Sequence, residues 1–150
     1  RRRFHGTCQD VDCKFARHPE QPPCTSPTCR VCCICRRTFS LLRAGETFGG
    51  QRNLQQLRYG PGLYFSATSG KSNDYAEGSQ QIRYEQRGRK RQWRCMFLCR
   101  VAVGKAFCTT EGTLSWDQCP PAGYDAVVGE VGPNLNYDEV VVYDEAAATP

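Results

Sequence analysis

The sequence predicts a single α+β domain in which short strands, joined by many turns, dominate over short helices. Three observations lead there: a length of 150 residues with 39% hydrophobic content, 14 Gly and 9 Pro spread along the chain, and apolar runs that are short. The length suits one buried core, and the turn formers with brief apolar runs disfavour a helical bundle.

Taken in order, residues 8–37 are rich in Cys, Pro and Arg and lack hydrophobic periodicity, so they read as an irregular loop that needs a metal or disulfides to hold it. Thr38–Ala44 reads as a short helix with Gly45 as a left-handed cap. Residues 45–62 form a Gly-rich loop with no apolar pattern. Leu63-Tyr64-Phe65 reads as a strand, and Ser66, Thr68 or Ser69 offers a cap for a brief helix carrying Lys71, Ser72 and Tyr75. Met96–Val103 is nearly continuously apolar, as expected of a strand buried on both faces. Ala126–Glu130 and Tyr137–Tyr143 read as two more strands, with a Gly-Pro-Asn turn at 132–134 between them. Period-2 alternation puts Glu139 on one face with Tyr137, Val141 and Tyr143, and its plainest reading is a charge on an edge strand that discourages aggregation.

The net charge of +5 is concentrated in Arg87, Arg89, Lys90, Arg91 and Arg94 around Trp93. Such a run suits phosphate or another anion, while its plainest reading is a solvated hairpin tip. No apolar run approaches membrane-spanning length, so no membrane role is expected. The chain opens on Arg1-Arg2-Arg3 without Met or an apolar segment, as a piece of a longer protein would.

Seven of the eleven cysteines fall between Cys8 and Cys35. Cys24-x4-Cys29-x2-Cys32, with Cys13 upstream, supplies four thiolates at spacings that suit tetrahedral zinc. Cys8, His18, Cys33 and Cys35 are alternative ligands, and disulfides in an oxidising compartment are the competing reading.

Three segments in order carry a family resemblance: Phe4-His5-Gly6-Thr7; Tyr59-Gly60-Pro61-Gly62-Leu63-Tyr64-Phe65-Ser66 running on to Lys71-Ser72-Asn73-Asp74-Tyr75; and Leu135 to Asp144 around Glu139. Together they resemble the His-Tyr-Glu signature of the poly(ADP-ribose) polymerase catalytic domain, within the diphtheria-toxin-like ADP-ribosyltransferases. Residues 97–105 and 123–129 are similar to that family's core strands, and the Cys-rich insert at about 8–37 resembles that of fungal members. The resemblance implies a split, mostly antiparallel sheet with short helices and an NAD-binding cleft. It implies NAD as substrate, with His5, Gly6, Thr7, Tyr64, Ser72 and Tyr75 binding it. His5 would bond an adenosine ribose hydroxyl, Gly6 the nicotinamide amide through its backbone, and Ser72 the carboxamide. Tyr75 would stack on the pyridinium, with Tyr64 walling the pocket.

Glu139, His5 and Tyr64 would be the catalytic set, with Glu139 stabilising the oxocarbenium-like centre formed as nicotinamide leaves. Lys71 would sit near the acceptor or near Glu139, with its role unassigned. The Gly45–Arg58 loop matches no ligand contact of the family, and no regulatory helical domain precedes His5; both bear on regulation and polymer formation. The expected function is transfer of ADP-ribose to an acceptor, foremost mono-ADP-ribosylation of protein. NAD hydrolysis, transfer to nucleic acid through Arg87–Arg94, and silent NAD or ADP-ribose binding are the alternatives. Family and thiols together suggest an intracellular protein, nuclear or cytoplasmic.

Overall fold

The computed structural model describes residues 1–10, 12–18, 20–46, 51–76, 83–86, 89–92 and 94–150. They form a mixed α+β structure with two helices and two main sheets. The first sheet takes β1 (Arg2–Gly6), β5 (Met96–Val101) and β9 (Ala148–Thr149) in the order β1-β5-β9, all antiparallel. The second takes β2 (Leu63–Phe65), β8 (Glu139–Val142), β7 (Ala126–Gly129) and β6 (Ala106–Thr109) in the order β2-β8-β7-β6. In it only the β6–β7 pair is parallel. A hairpin of β3 (Arg83–Gln86) and β4 (Arg89–Gln92) stands apart.

The two main sheets meet where Phe4 bridges Ser66, the residue that follows β2. There Phe4 N donates to Ser66 O at 2.7 Å and Ser66 N to Phe4 O at 3.0 Å. The core beneath this junction comprises Phe39, Leu63, Phe65, Cys99, Val101, Ala126, Val140, Val142 and Ala148.

The strands at 63–65, 126–129 and 139–142 agree with the sequence reading, as does α2 (Ser69–Tyr75). Thr68 occupies the cap position of α2 but its side chain makes no capping bond; the Ser66 hydroxyl accepts from Thr68 N instead, at 3.1 Å. The expected turn at 132–134 is closed by a Gly132–Leu135 bridge.

Four expectations need correction. Residues 8–37 are not irregular throughout, because α1 (Arg30–Arg37) lies among them. Its inward face is Val31 and Cys32 following the Cys29 cap, so sulfur stands where apolar periodicity was sought. Thr38–Ala44 is not a helix: Thr38 ends α1 at φ +63°, Phe39 turns into the core, and only Leu41–Arg43 makes a 3-10 turn. Gly45, at φ +70°, does take the left-handed conformation. β5 stops at Val101 and is buried on one face only, with Cys99 and Val101 inside but Leu98 and Arg100 exposed. Finally, β8 is an interior strand between β2 and β7, so Glu139 is no edge charge; it is 4% exposed. Of the basic run, Arg89 to Arg91 fall in the β4 arm of a hairpin, while Arg87 and Trp93 lie outside the described residues.

Candidate active site and metal centre

Glu139 opens β8 opposite Gly129 of β7, at the level where β2 leaves its sheet for the Phe4–Ser66 bridge. Its Oε1 is 2.8 Å from Lys71 Nζ on α2. Its Oε2 is buried and, among the described residues, has no hydrogen-bond partner. Buried carboxylate oxygens are seldom left so, and a hydroxyl or amide donor brought by a ligand would complete this one. Burial alone works against the Lys71 ammonium, but the hydrogen bond and charge of Glu139 outweigh it and hold the lysine above its usual pKa. The Lys71 ammonium is therefore kept charged across the neutral range. Lys71 Nζ also lies 5.5 Å from the centroid of the Tyr75 ring, which is 60% exposed at the end of α2.

Gly6, the last residue of β1, meets α2 directly. A Cβ built there would lie 1.6 Å from the carbonyl oxygen of Ser72. The missing side chain therefore makes room for the α2 backbone, a use of this glycine that its sequence context did not suggest. Ser72 is buried at this contact, and Thr7 follows β1 half-buried. Next to Gly6, His5 places Nδ1 2.8 Å from Tyr64 O. Since a carbonyl only accepts, Nδ1 carries the proton in the neutral ring and Nε2 is left as an acceptor. Burial pushes the His5 pKa down, with the Tyr64 hydrogen bond opposing it, which favours this neutral form. Phe39 and Phe65 flank the ring at centroid distances of 5.1 and 5.5 Å.

Tyr64 has a structural task beyond walling a pocket. Its hydroxyl donates to Gly60 O at 2.8 Å and accepts from Tyr59 N at 2.9 Å. Tyr143 donates to Tyr59 O at 2.5 Å, and the buried Tyr59 donates to Glu111 O at 2.7 Å. Three phenols thus bracket the turn before β2. Burial, followed by the negative charge of Glu139, raises Tyr59 to about 12, so the phenol stays protonated.

Contacts thus run from Glu139 to Lys71, across α2 from Ser72 to Gly6, and from His5 to Tyr64. Of the two positions the sequence left open for Lys71, the structure gives the one beside Glu139. One member of the site carries no sequence signal. Asp138, on the opposite face of the chain from Glu139, accepts from Ser66 Oγ at 2.8 Å and Ala67 N at 2.9 Å and lies 3.7 Å from Arg3 Nε. It pins the entry to α2 against β1. A surface depression of about 560 Å3 lies elsewhere, where Arg1 and Arg2 meet Arg100 and Thr149, and none of the signature residues lines it.

No protein-family model matches this chain. The site's chemistry therefore has to be argued from its own groups.

The metal centre takes the register given by the spacing. The sulfurs of Cys13, Cys24, Cys29 and Cys32 all lie within 4.8 Å of one another, with Cys13 and Cys32 3.5 Å apart. Zinc at about 2.3 Å from each sulfur would set sulfurs about 3.8 Å apart, inside this spread. All eleven cysteines are free thiols. Burial raises Cys29 to about 12 and pushes Cys32 up as well. Cys13 goes the other way: burial opposes its thiolate, but hydrogen bonds from the Phe15 backbone and the neighbouring thiols hold it down. A cluster in which burial holds Cys29 and Cys32 as thiols is stabilised as thiolates by a dication, so the donor set fits a metal such as zinc. Around it, Asp10 accepts from the hydroxyls of Ser26 and Thr28, and Gln9 Nε2 donates to Cys13 O at 2.5 Å.

Proposed function

We propose that this chain is an NAD-dependent ADP-ribosyltransferase domain with a structural zinc centre, transferring ADP-ribose to an acceptor, foremost a protein side chain. The observation that carries the reading is Glu139: a buried carboxylate with one oxygen held by Lys71 and the other without a partner among the described residues. A ribose 2′-hydroxyl donating to Oε2 would satisfy that oxygen and put negative charge beside the anomeric carbon. As the bond from that carbon to the nicotinamide nitrogen breaks, its electron pair leaves on neutral nicotinamide and positive charge develops on the ribose. Fixed negative charge is most stabilising at that moment. The acceptor's oxygen or nitrogen then bonds to the same carbon and gives up its proton to solvent water. Because the departing group starts as a cation, no general acid is required.

The neutral His5, with Nε2 free of the Tyr64 carbonyl, suits acceptance from a hydroxyl of the adenosine ribose. Gly6 would meet the nicotinamide amide through its backbone, Ser72 would donate to the carboxamide, and the exposed Tyr75 ring would cover the pyridinium. The test is incubation with NAD labelled in the adenosine half, together with protein and nucleic-acid acceptors, following nicotinamide release and label transfer. Label on protein that disappears in Glu139→Gln supports the reading. Nicotinamide release without transfer would mean an NAD glycohydrolase, label on nucleic acid would give the basic run its role, and neither would reduce the site to a binding module.

A further inference from the structure

The cysteine cluster and His5 share side chains. Phe97 packs against the cluster formed by Cys13, Cys29, Val31 and Cys32 and also against the main core that contains Phe39. It is also the cross-strand partner of His5 in the β1–β5 ladder. Phe39 stands edge-on to both rings, with centroids 6.3 Å from Phe97 and 5.1 Å from His5. Ile34 of α1, two residues after Cys32, packs on the same core. The backbone adds a tie of its own, since Val31 N donates to Cys8 O two residues after β1 ends.

Apart from Val31, Phe97 and the half-buried Phe15, the side chains of that cluster are sulfurs. Segments that bury so little cannot offset the entropy of their own ordering, so a metal ion bridging the four thiolates decides where α1 sits. Whatever fixes α1 bears on the packing of Phe97, and Phe97 meets Phe39, which with Phe65 flanks the His5 ring whose Nδ1 is held by the Tyr64 carbonyl. Close-packed aromatics of this kind pass a displacement on rather than absorb it.

We infer that the Cys13–Cys24–Cys29–Cys32 metal centre is a positioning element for His5, acting through Phe97 and Phe39, so that metal loading and recognition of a hydroxyl ligand at His5 Nε2 are linked. The ligand half of this inference rests on the reading proposed above; the effect on the ring does not. Linkage is reciprocal, so a ligand held by His5 should also slow loss of the metal.

The chain has two histidines, His5 and His18, which makes the ring directly observable. The experiment records imidazole nitrogen and proton resonances of the zinc-loaded protein, with His18→Gln to assign them. Zinc-loaded Phe97→Leu and Phe107→Leu are compared with it; Phe107 packs on Tyr124, away from the route. The expected result is one zinc per chain in all three proteins. The proton on His5 Nδ1 should exchange about fivefold or more faster in Phe97→Leu, at the lower end of couplings through shared packing, and unchanged in Phe107→Leu. Zinc removal with a chelator should move the same resonance in the same direction. An unchanged His5 in zinc-loaded Phe97→Leu overturns the inference, even if the metal-free chain unfolds. So does an unchanged His5 in a metal-free chain whose second sheet stays protected. A separate arm measures release of zinc to a chromogenic chelator with and without ADP-ribose. If ADP-ribose does not bind the zinc-loaded protein at all, the proposed function fails while the effect on the His5 ring stands.

Discussion

Replacing Gly6 by Ala should destabilise the protein more than any other single methyl added to the site. The new Cβ would sit 1.6 Å from the Ser72 carbonyl oxygen and 2.6 Å from its carbon, both backbone atoms that no rotamer change can move. To restore ordinary contact near 3.4 Å, α2 must recede from β1 by about 1.8 Å. A recession of that size exceeds the slack in the 2.8 Å Lys71–Glu139 pair, so the pair must stretch or the Lys71 side chain must be rebuilt. Overpacking against a well-packed wall costs about 1–3 kcal/mol, and a backbone obstacle belongs at the upper end. For a domain of this size that corresponds to a fall in Tm of about 6–12 °C. Thermal unfolding followed by circular dichroism measures it. Gly70→Ala is the internal control, because its Cβ meets only Thr68 Cγ2, at 3.8 Å, within the same helix; it should leave Tm unchanged or raise it by about 1–3 °C. A Gly6→Ala protein with wild-type Tm would refute the packing argument. If such a protein lost only its affinity for NAD, the glycine would be serving a ligand and not α2.

Four further outcomes are expected. Glu139→Gln should lose about a hundredfold or more in turnover while NAD affinity is nearly kept, since its charge acts on the breaking bond; wild-type turnover would remove Glu139 from the chemistry. Nicotinamide and benzamides should compete with NAD, and Tyr75→Ala should weaken all three with little change in Tm because the ring is exposed; benzamide binding that leaves NAD binding untouched would put the pocket elsewhere. Purified protein should carry about one zinc per chain. Cys29→Ser or Cys32→Ser should abolish it and Cys33→Ser or Cys8→Ser should not, as elemental analysis and a thiol count can tell; paired cysteines without metal would establish the disulfide alternative. Finally, burial lowers the His5 pKa, so the unfolded chain takes up the proton first, and stability is full above the model-peptide value of 6.5 and declines as pH falls through and below it. Urea titrations between neutral and mildly acid pH should show this slope in His18→Gln and lose it in His5→Phe.

The sequence by itself determined the pieces whose signal is local. Leu63–Phe65 and the buried stretch from Glu139 to Val142 are legible because period-2 runs of strand formers are bounded by turn residues. The convergence of Cys13, Cys24, Cys29 and Cys32 was legible because spacing along the chain limits which thiols can meet. β1 and β9 carried no comparable signal, being short and polar, and they exist as strands because β5 offers both of its edges to them. The helix expected at 38–44 failed for the converse reason: its local pattern was acceptable, but burying Phe39 beside His5 and Phe65 outweighed helix propensity.

The site shows the same division. Residue identity nominated His5, Gly6, Tyr64, Ser72, Tyr75 and Glu139, but it could not say that Lys71 pairs with one oxygen of Glu139 while the other has no partner among the described residues. Nor could it say that Asp138 staples the entry of α2, or that Gly6 lacks a side chain because the backbone of α2 occupies that space. These are relations between segments more than sixty residues apart, and no periodicity encodes them. They were decided when the two sheets joined at Phe4 and Ser66, which carried the start of α2 onto β1 and the head of β8 beneath it.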